Sequence, residues 1–224
     1  MTSITAVILD LDGVLVDSEG IWNRARHEVT LEHGGDWRAD AQGAMMGMSS
    51  LEWSTYMHDV LGVALRPEDI SAEVVSRLHR LYREQLPVIP GAREAVVRLA
   101  DCWPLALASS ANREIIDLVI ELAGLEYFGA TVSSEEVPRG KPAPDVYLEA
   151  AKRIDAPPER CAAVEDSSNG LRSAAAAGMT VIAVPNREFA PEQDALALAA
   201  DVLESITELT PQRVERAAGG KSDR

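Results

Sequence analysis

Short apolar runs recur along the chain, and each is bounded by polar or turn residues. They occupy residues 6–9, 105–108, 161–164 and 181–184. Runs that are apolar throughout, rather than at every second position, are typical of strands buried on both faces of a parallel sheet. The pattern therefore predicts four strands of one buried sheet.

Helical patterns with recognisable ends lie between these runs. Asn112 is a candidate N-cap for a helix that Gly124 ends, and Pro144 suits the first turn of a helix that runs to Ile154. A third helical pattern ends at Gly178. Strand and helix alternate, which predicts an α/β fold with right-handed crossover connections.

One segment interrupts this alternation. Between Ser18 and Val88 no buried-strand run occurs, but amphipathic helical patterns appear around residues 22–31, 51–61 and 70–86. We interpret this segment as a small all-helical insert that follows the first strand directly. The predicted division is an insert at residues 18–87 within a sheet domain formed by residues 1–17 and 88–224.

The charge of the chain limits its partners. Asp and Glu number 36 against 21 Lys and Arg, which gives a formal net charge of −15. Neither nucleic acid nor an anionic membrane would attract such a surface, so neither is an expected partner. No stretch approaches the roughly 18 apolar residues that a membrane span needs. An anionic substrate would have to be held by a few local cations and amides.

The cysteines bear on the compartment. Cys102 and Cys161 both lie in apolar stretches, and two unpatterned cysteines do not form a disulfide framework. We therefore expect two small buried thiols in a reducing compartment. The apolar run at residues 4–9 is too short for a signal peptide and is followed by acidic residues. These observations predict a cytoplasmic protein and do not indicate its oligomeric state.

Polar side chains follow the ends of the predicted strands. Because the carboxyl ends of parallel strands meet at the edge of a sheet where ligands bind, these side chains are expected to lie close together. Taken alone, the motif at Asp10 is as typical of a turn as of a functional site, and Ser109-Ser110 and Lys141 are more typical of a helix start and a surface lysine. The prediction of a site therefore rests on the whole set. The set comprises Asp10, Asp12, Ser109, Ser110, Lys141, Glu165 and Asp166.

Phosphoryl transfer is the chemistry that this set fits. A hard cation such as Mg²⁺ takes carboxylate oxygens as ligands, and Asp10, Glu165 and Asp166 could supply them. With the charge of a phosphate neutralised, the Asp10 carboxylate could attack phosphorus and form an aspartyl-phosphate. Whether Glu165 would bind the ion directly or through water stays open.

The remaining residues of the set fit the other needs of the reaction. Asp12 is suited to protonate the leaving oxygen and later to activate water. Ser109, the backbone amide of Ser110 and Lys141 would hold the non-bridging oxygens as their charge changes. The residues therefore predict a phosphatase whose partner is a small phosphorylated metabolite.

These motifs resemble those of the haloacid dehalogenase superfamily, and the resemblance covers nearly the whole chain. The matching residues are Asp-Leu-Asp-Gly-Val from Asp10, then Ser109, then Lys141 in Gly-Lys-Pro-Ala-Pro-Asp, and Glu-Asp-Ser-Ser-Asn-Gly from Glu165. The resemblance implies a Rossmann-like core, Mg²⁺, and a helical cap of the C1 type of subfamily I that closes over the substrate and excludes water. It also implies that the main-chain carbonyl of Asp12 is a metal ligand.

Within the superfamily the chain is similar to two branches. One contains sugar-phosphate phosphatases of the 2-deoxyglucose-6-phosphate phosphatase type, and the other is β-phosphoglucomutase. Such mutases carry a cap histidine shortly after the first motif and an arginine that grips a second phosphate. The corresponding positions here look like Trp22 and Ser50, so that cation is missing. Hydrolysis of a sugar phosphate is the expected activity, with a phosphosugar mutase as the alternative.

Two further alternatives differ in class. A dehalogenase would need neither a metal nor a second acid at Asp12, and a non-catalytic binding protein would be expected to have lost an acidic motif residue. Specificity is expected to lie around the cap, with Glu19 and Asn112 as candidate substrate-binding residues. Trp22 and the methionine-containing loop at residues 45–50 are further candidates, but residue types alone do not identify the substrate.

Overall fold

The structure is a computed structural model that describes residues 3–186 and 189–220. Its strands are β1 (Ala6–Leu9), β2 (Leu105–Ser109), β3 (Phe128–Ser133), β4 (Cys161–Glu165), β5 (Thr180–Ala183) and β6 (Asp201–Val202). Its helices are α1 (Glu19–Glu32), α2 (Ala41–Met45), α3 (Ser50–Asp59), α4 (Pro67–Glu84), α5 (Ala92–Ala100), α6 (Arg113–Ala123), α7 (Asp145–Arg153), α8 (Ser168–Ala176), α9 (Gln193–Leu196) and α10 (Pro211–Gly219). Within these two ranges, no helix combines the length and the apolar character that crossing a membrane requires.

The strands form one parallel sheet in the order β3-β2-β1-β4-β5-β6. Successive strands run outward from β1 in one half and outward from β4 in the other, so the winding direction reverses between these two strands. In doubly wound folds, ligands bind beyond the carboxyl ends of the strands at this switch point. The sheet confirms the predicted α/β class and places the ends of β1 and β4 side by side.

The four predicted strands are present as β1, β2, β4 and β5, but two strands were not predicted. β3 lies at an edge of the sheet, its first four residues are exposed or only partly buried, and Gly129 lies among them. β6 is the other edge strand and has two residues. An edge strand is not covered by helices on both of its faces. Neither β3 nor β6 therefore shows the continuous apolar run that marks the central strands.

The sheet is covered by an apolar layer on each face, and alternate residues of β1 supply both layers. Val7 and Leu9 belong to one buried cluster, which continues into the helices between β1 and α5, and Ala6 and Ile8 belong to the other. All four side chains are fully buried. Burial of each of the three larger ones stabilises the fold by about 1.5–3 kcal/mol. The rigid sheet fixes where its strand ends point.

Helices α1 to α4 lie between β1 and α5, and the predicted amphipathic patterns correspond to α1, α3 and α4. The two segments that join these helices to the sheet run side by side. The N–H of Asp17 donates to the carbonyl of Pro87 at 2.8 Å, and the N–H of Ile89 donates to the carbonyl of Leu15 at 2.9 Å. This pairing lies at the predicted domain boundary. The division itself stays a prediction, and "cap" below denotes residues 18–87 and "core" the rest.

The two cysteines differ in exposure. Cys161, in β4, is buried, and its thiol donates to the carbonyl of Pro157 at 3.4 Å. Burial raises the pKa of Cys161 to about 11. Cys102 is exposed, so the prediction of two buried thiols is wrong for this residue. The apolar residues around it belong to the end of α5 and to β2, and Cys102 itself lies in the turn that joins them.

We expect a disulfide reagent such as DTNB, at about pH 8, to modify Cys102 rapidly and Cys161 only slowly. The thiolate is the reactive form, and Cys161 is both buried and protonated at that pH. The time course of absorbance with native protein should show one fast thiol per chain. Cys102→Ser should remove the fast phase and Cys161→Ser should leave it, whereas two fast thiols would contradict the structure.

Candidate active site

The ends of β1 and β4 bring three carboxylates together. Asp10 follows β1 directly, Glu165 is the last residue of β4, and Asp166 follows it. One carboxylate oxygen from each lies within 4.8 Å of the others, and all three residues are buried. Residues that are distant in the chain therefore meet at the edge of the sheet where the sequence predicts a site.

Lys141 supplies positive charge between two of these carboxylates. Its Nζ lies 2.7 Å from Asp10 Oδ1 and 2.5 Å from Glu165 Oε1. Burial acts to lower the pKa of Lys141, but Asp10 and Glu165 outweigh burial and raise this pKa above its ordinary value. The lysine is therefore a cation at neutral pH and links its loop to the ends of both strands.

Glu165 is held by donors on both carboxylate oxygens. Oε1 accepts hydrogen bonds from Lys141 and, at 2.7 Å, from the hydroxyl of Tyr147. Oε2 accepts from the hydroxyl of Ser167 at 3.3 Å and from the N–H of Asp166 at 3.2 Å. A carboxylate accepts about four hydrogen bonds, so a metal that bound Glu165 directly would have to displace one of these donors.

The other two carboxylates are poorly compensated. Burial raises the pKa of Asp10 to about 8; Lys141 opposes this shift, while Glu165 and Asp12 add to it. Burial, with Glu165 and Asp10, raises the pKa of Asp166 well above its ordinary value. Across the described chain, no residue donates a hydrogen bond to the Asp166 carboxylate. A divalent cation would supply the missing positive charge, and this oxygen donor set suits Mg²⁺.

Asp12 lies between the core and the cap. Its Oδ1 accepts hydrogen bonds from the hydroxyl of Ser18 and, at 3.2 Å, from the indole N–H of Trp22. Burial raises the pKa of Asp12, although these two donors and Lys141 oppose the shift. A carboxyl group with a raised pKa retains a proton closer to neutral pH, as a general acid must. The two donors fix its orientation.

The two serines at the end of β2 have different partners. Ser109 is fully buried, and its Oγ accepts a hydrogen bond from the N–H of Ala111 at 3.0 Å. Ser110 lines the cavity between core and cap, and its hydroxyl donates to the carbonyl of Gly47 at 3.0 Å. In this structure the Ser110 side chain is therefore a contact between the core and the cap.

The cap contributes aromatic and charged side chains to the cavity wall. The guanidinium carbon of Arg26 lies 4.6 Å from the ring centroid of Trp22 and 5.1 Å from that of Trp53. Gln42 joins Arg26 to Glu19: its Oε1 accepts from Arg26 at 3.4 Å, and its Nε2 donates to Glu19 Oε2 at 2.6 Å. The structure thus places Glu19 in the cavity wall.

Asn112 lies outside the cavity wall. Its amide nitrogen donates to Glu135 Oε1 at 2.8 Å and to the Ser71 hydroxyl of the cap at 3.4 Å. These hydrogen bonds make Asn112 a contact between the core and α4. The structure does not bring it together with the other predicted site residues, and a role in substrate binding stays a prediction.

Core and cap line a small, partly open cavity between them. Its volume is about 50 Å³, which admits only a few water molecules. The cavity is smaller than a sugar phosphate, so entry of a ligand of that size would require the cap to move away from the core. The core side includes Asp10, Asp12, Ser110, Lys141 and Asp166, and the cap side includes Glu19, Trp22, Arg26, Met45, Met48 and Trp53.

Sequence reasoning missed several side chains of this site. For Arg26 a signal existed, because Glu19, Trp22 and Arg26 are spaced by three and four residues and so share one face of α1. An arginine on the apolar face of an amphipathic helix is a sign of a special role. The others have partners far along the chain, so no local pattern marks them. They are Gln42, Trp53 and Tyr147.

Comparison with known families decides the class of the protein. The family model for haloacid dehalogenase-like hydrolases matches residues 4–178. The chain belongs to this family. The resemblance that the four motifs suggested is therefore confirmed, and it covers all the residues predicted from the strand ends.

Two of the relatives with similar sequences are named as phosphatases of sugar or polyol phosphates. Hexitol phosphatase B of Escherichia coli (strain K12) is 36% identical over 215 residues, which cover 92% of this chain and 95% of that protein. Phosphorylated carbohydrates phosphatase of Thermotoga maritima is 32% identical over 176 residues, which cover 78% of this chain and 82% of that protein. With the family, these relatives identify the chain as a phosphomonoester hydrolase, the predicted class of enzyme.

Solved structures share the fold. CbbY from Rhodobacter sphaeroides, in complex with phosphate, superimposes with a TM-score of 0.83 at 26% identity and covers 94% of this chain and 99% of its own. A β-phosphoglucomutase from Clostridium difficile superimposes with a TM-score of 0.85 over 99% of this chain and 100% of its own, at 21% identity. At that identity the likeness shows the fold alone, so the fold does not separate a hydrolase from a mutase.

Gly170→Ala is expected to damage the site, although alanine ordinarily favours a helix over glycine by about 1 kcal/mol. A Cβ at this position in α8 would lie 1.9 Å from Glu165 Oε2. Glu165 would have to shift, and with it Lys141, at a cost of about 1–3 kcal/mol. We expect a lower melting temperature and at least about a tenfold loss of kcat/KM on p-nitrophenyl phosphate.

Gly20→Ala is the matched control for this substitution. Gly20 lies in α1, and a Cβ there would have no atom within 4 Å. This variant should keep its activity, and its melting temperature should be unchanged or slightly higher because alanine favours the helix. Equal kcat/KM and equal melting temperature in the two variants would show that Glu165 does not need the space over Gly170.

Proposed function

We propose that the chain is a Mg²⁺-dependent phosphatase that hydrolyses a small sugar phosphate through an aspartyl-phosphate on Asp10. The observation that carries this proposal is the meeting of Asp10, Asp166 and Lys141 at the ends of β1 and β4, beside a cavity that the cap covers. The reaction needs a nucleophile, metal ligands and a cation for the phosphate at one point, and these side chains can supply them.

The metal would be held by the carboxylates of Asp10 and Asp166 and by the main-chain carbonyl of Asp12. The buried Asp166 carboxylate, to which no described residue donates a hydrogen bond, supports this assignment. Glu165 already accepts four hydrogen bonds, so we assign it a contact through water. When bound, the ion neutralises phosphate charge and so lets a carboxylate approach an anion.

Asp10 and Asp12 would share the chemical steps. The Asp10 carboxylate attacks phosphorus, and as the new O–P bond forms, the bond from phosphorus to the ester oxygen breaks. Asp12, oriented by Ser18 and Trp22, gives its proton to the leaving oxygen. In the second half, Asp12 takes a proton from water, whose oxygen attacks phosphorus and releases inorganic phosphate from Asp10.

The non-bridging oxygens of the phosphate would be bound by Lys141, Ser109 and the backbone amide of Ser110. Lys141 already contacts two carboxylates, and the Ser110 hydroxyl is bound to the carbonyl of Gly47. A phosphate that took the Ser110 hydroxyl as a donor would release Gly47. Binding of phosphate would then be coupled to the contact between core and cap.

We assign the substrate to phosphorylated sugars or polyols. The relatives that support this are a hexitol phosphatase and a phosphatase of phosphorylated carbohydrates. Two expectations about the surroundings accompany the assignment. The free thiols of Cys102 and Cys161 fit a reducing compartment such as the cytoplasm, and the net charge of −15 disfavours nucleic acid and membranes as partners.

A phosphosugar mutase is the alternative, and the described contacts favour hydrolysis over it. Trp22 stands where the mutases carry a cap histidine, and its indole holds Asp12. Ser50, at the position of their phosphate-binding arginine, offers no charge. With β-glucose 1-phosphate and a bisphosphate primer, we expect release of inorganic phosphate. Accumulation of glucose 6-phosphate would favour the mutase.

Asp10→Asn is expected to lower magnesium-dependent phosphate release from p-nitrophenyl phosphate or a hexitol phosphate by about a thousandfold or more, because the nucleophile is lost. Asp101→Asn changes an exposed aspartate and should behave as wild type. Mass spectrometry after an acid quench should find a phosphoryl group on the Asp10 peptide of wild type only. Full turnover by Asp10→Asn would refute the assigned nucleophile.

Removal of divalent metal with EDTA is expected to abolish activity, and Mg²⁺ should restore it. Without substrate, Mg²⁺ at a hundred times its Kd should stabilise the protein by about 2.7 kcal/mol, because it compensates buried carboxylates. In a chain of this size that corresponds to about 5–10 °C in melting temperature. Asp166→Asn should lose most of this shift, while Asp101→Asn should keep it. Undiminished activity in EDTA would exclude the metal.

A further inference from the structure

The guanidinium of Arg26 is fixed in the cavity wall by aromatic rings rather than by an ion pair. It lies against the indoles of Trp22 and Trp53, which meet edge to face with their centroids 6.0 Å apart, and only 5% of the residue is exposed. Contacts with ring faces hold a cation without using its N–H donors. Arg26 is therefore positioned while most of its donors stay available.

The donors of Arg26 are largely unsatisfied. A guanidinium has five N–H donors, and in the described chain the one hydrogen bond from Arg26 is the contact of 3.4 Å with Gln42. Its Nε is buried and has no partner. Burial lowers the pKa of Arg26 to about 10, so it remains a cation at neutral pH. A buried cation with free donors needs acceptors, which water in the cavity or a bound molecule can supply.

An acceptor lies on the other side of Gln42. Glu19 lines the same cavity, and Gln42 occupies its Oε2, while no described residue donates to Oε1. The described structure contains no direct ion pair between Glu19 and Arg26. Gln42 thus separates a free donor group from a free acceptor oxygen along one wall of the cavity.

The charges of this wall favour an uncharged ligand. Arg26 and Glu19 cancel each other, so the wall offers a second phosphate or a carboxylate no net attraction. A hydroxyl group both donates and accepts, and a row of hydroxyls could take hydrogen bonds from Arg26 and give them to Glu19. An electrically neutral polyol chain is the chemistry that fits both groups.

We propose that Arg26 and Glu19 bind hydroxyl groups of the uncharged part of the substrate, and that Arg26 determines the specificity of the enzyme for sugar or polyol phosphates. This inference rests on the proposed phosphatase function and assigns the cap end of the same cavity. The phosphate is bound at the core end, and the hydroxyls at the cap end.

The test compares Arg26→Met with wild type on sorbitol 6-phosphate and on p-nitrophenyl phosphate, which lacks the hydroxyls. The ratio of the two kcat/KM values should fall by about 10- to 100-fold in Arg26→Met, because the lost donors serve the hydroxylated substrate. Arg26→Lys should lose part of this ratio, since it keeps the charge but not the planar fork. Arg24→Met, at an exposed position of α1, is the matched control and should leave the ratio unchanged.

Three results would overturn the inference. An equal loss on both substrates would make Arg26 a residue of fold or chemistry. A wild-type preference for 6-phosphogluconate or a sugar bisphosphate that Arg26→Met abolishes would show that Arg26 binds a second anion. An unchanged ratio in a folded Arg26→Lys would overturn the inference even if Arg26→Met did not fold. Absence of any wild-type turnover, p-nitrophenyl phosphate included, would instead refute the proposed function.

Discussion

The packing of the Lys141 ammonium against the buried carboxylates of Asp10 and Glu165 is the constraint on which the rest of the structure depends. Like charges cannot be brought this close without a countercharge, and one lysine does not compensate three carboxylates. The parallel sheet enforces the arrangement, because β1 and β4 are neighbours and their apolar layers outweigh the repulsion at their ends. The rigid sheet thus holds more negative than positive charge at the ends of β1 and β4.

The cap contacts the residues around this cluster of carboxylates but contributes none of the three carboxylates. Each of the three carboxylates comes from the core, whereas the indole of Trp22 reaches Asp12 from α1. The carbonyl of Gly47 accepts from Ser110, and the Asn112 amide donates to Ser71, so hydrogen bonds join the cap to the core beside the apolar cluster that both share. Such contacts are exchangeable for water or substrate at small cost. These hydrogen bonds would be exchanged in the proposed movement of the cap that admits a ligand.

The sequence predicts the core of this site better than the cap. Continuous apolar runs mark the central strands in the sequence, and the topology of the sheet then determines where the residues at the strand ends lie. For this reason the sequence alone predicts that Asp10, Lys141 and Asp166 lie close together. Edge strands β3 and β6 carry no such signal. In the cap, the residues that line the cavity depend on which helix faces pack together. The sequence therefore does not predict the hydrogen bond between Gln42 and Glu19. Asn112 is a predicted substrate-binding residue, but it lies outside the cavity wall, and its amide nitrogen donates to Glu135 and Ser71.

The charges that line the cavity indicate that a cation would have to bind before the phosphate. In the described chain, with every group ionised, the carboxylates of Asp10, Asp12, Glu19 and Asp166 exceed the cations Arg26 and Lys141 in the cavity wall by two negative charges. The raised pKa values of the three aspartates reduce this excess by favouring their protonated forms. A phosphate dianion would be repelled from such a cavity and from a protein with a net charge of −15. A divalent cation would cancel the excess at the core end, which is the proposed site of the phosphate. At the cap end the charges of Arg26 and Glu19 already cancel, so this end does not attract a second anion. It favours a ligand that forms hydrogen bonds instead.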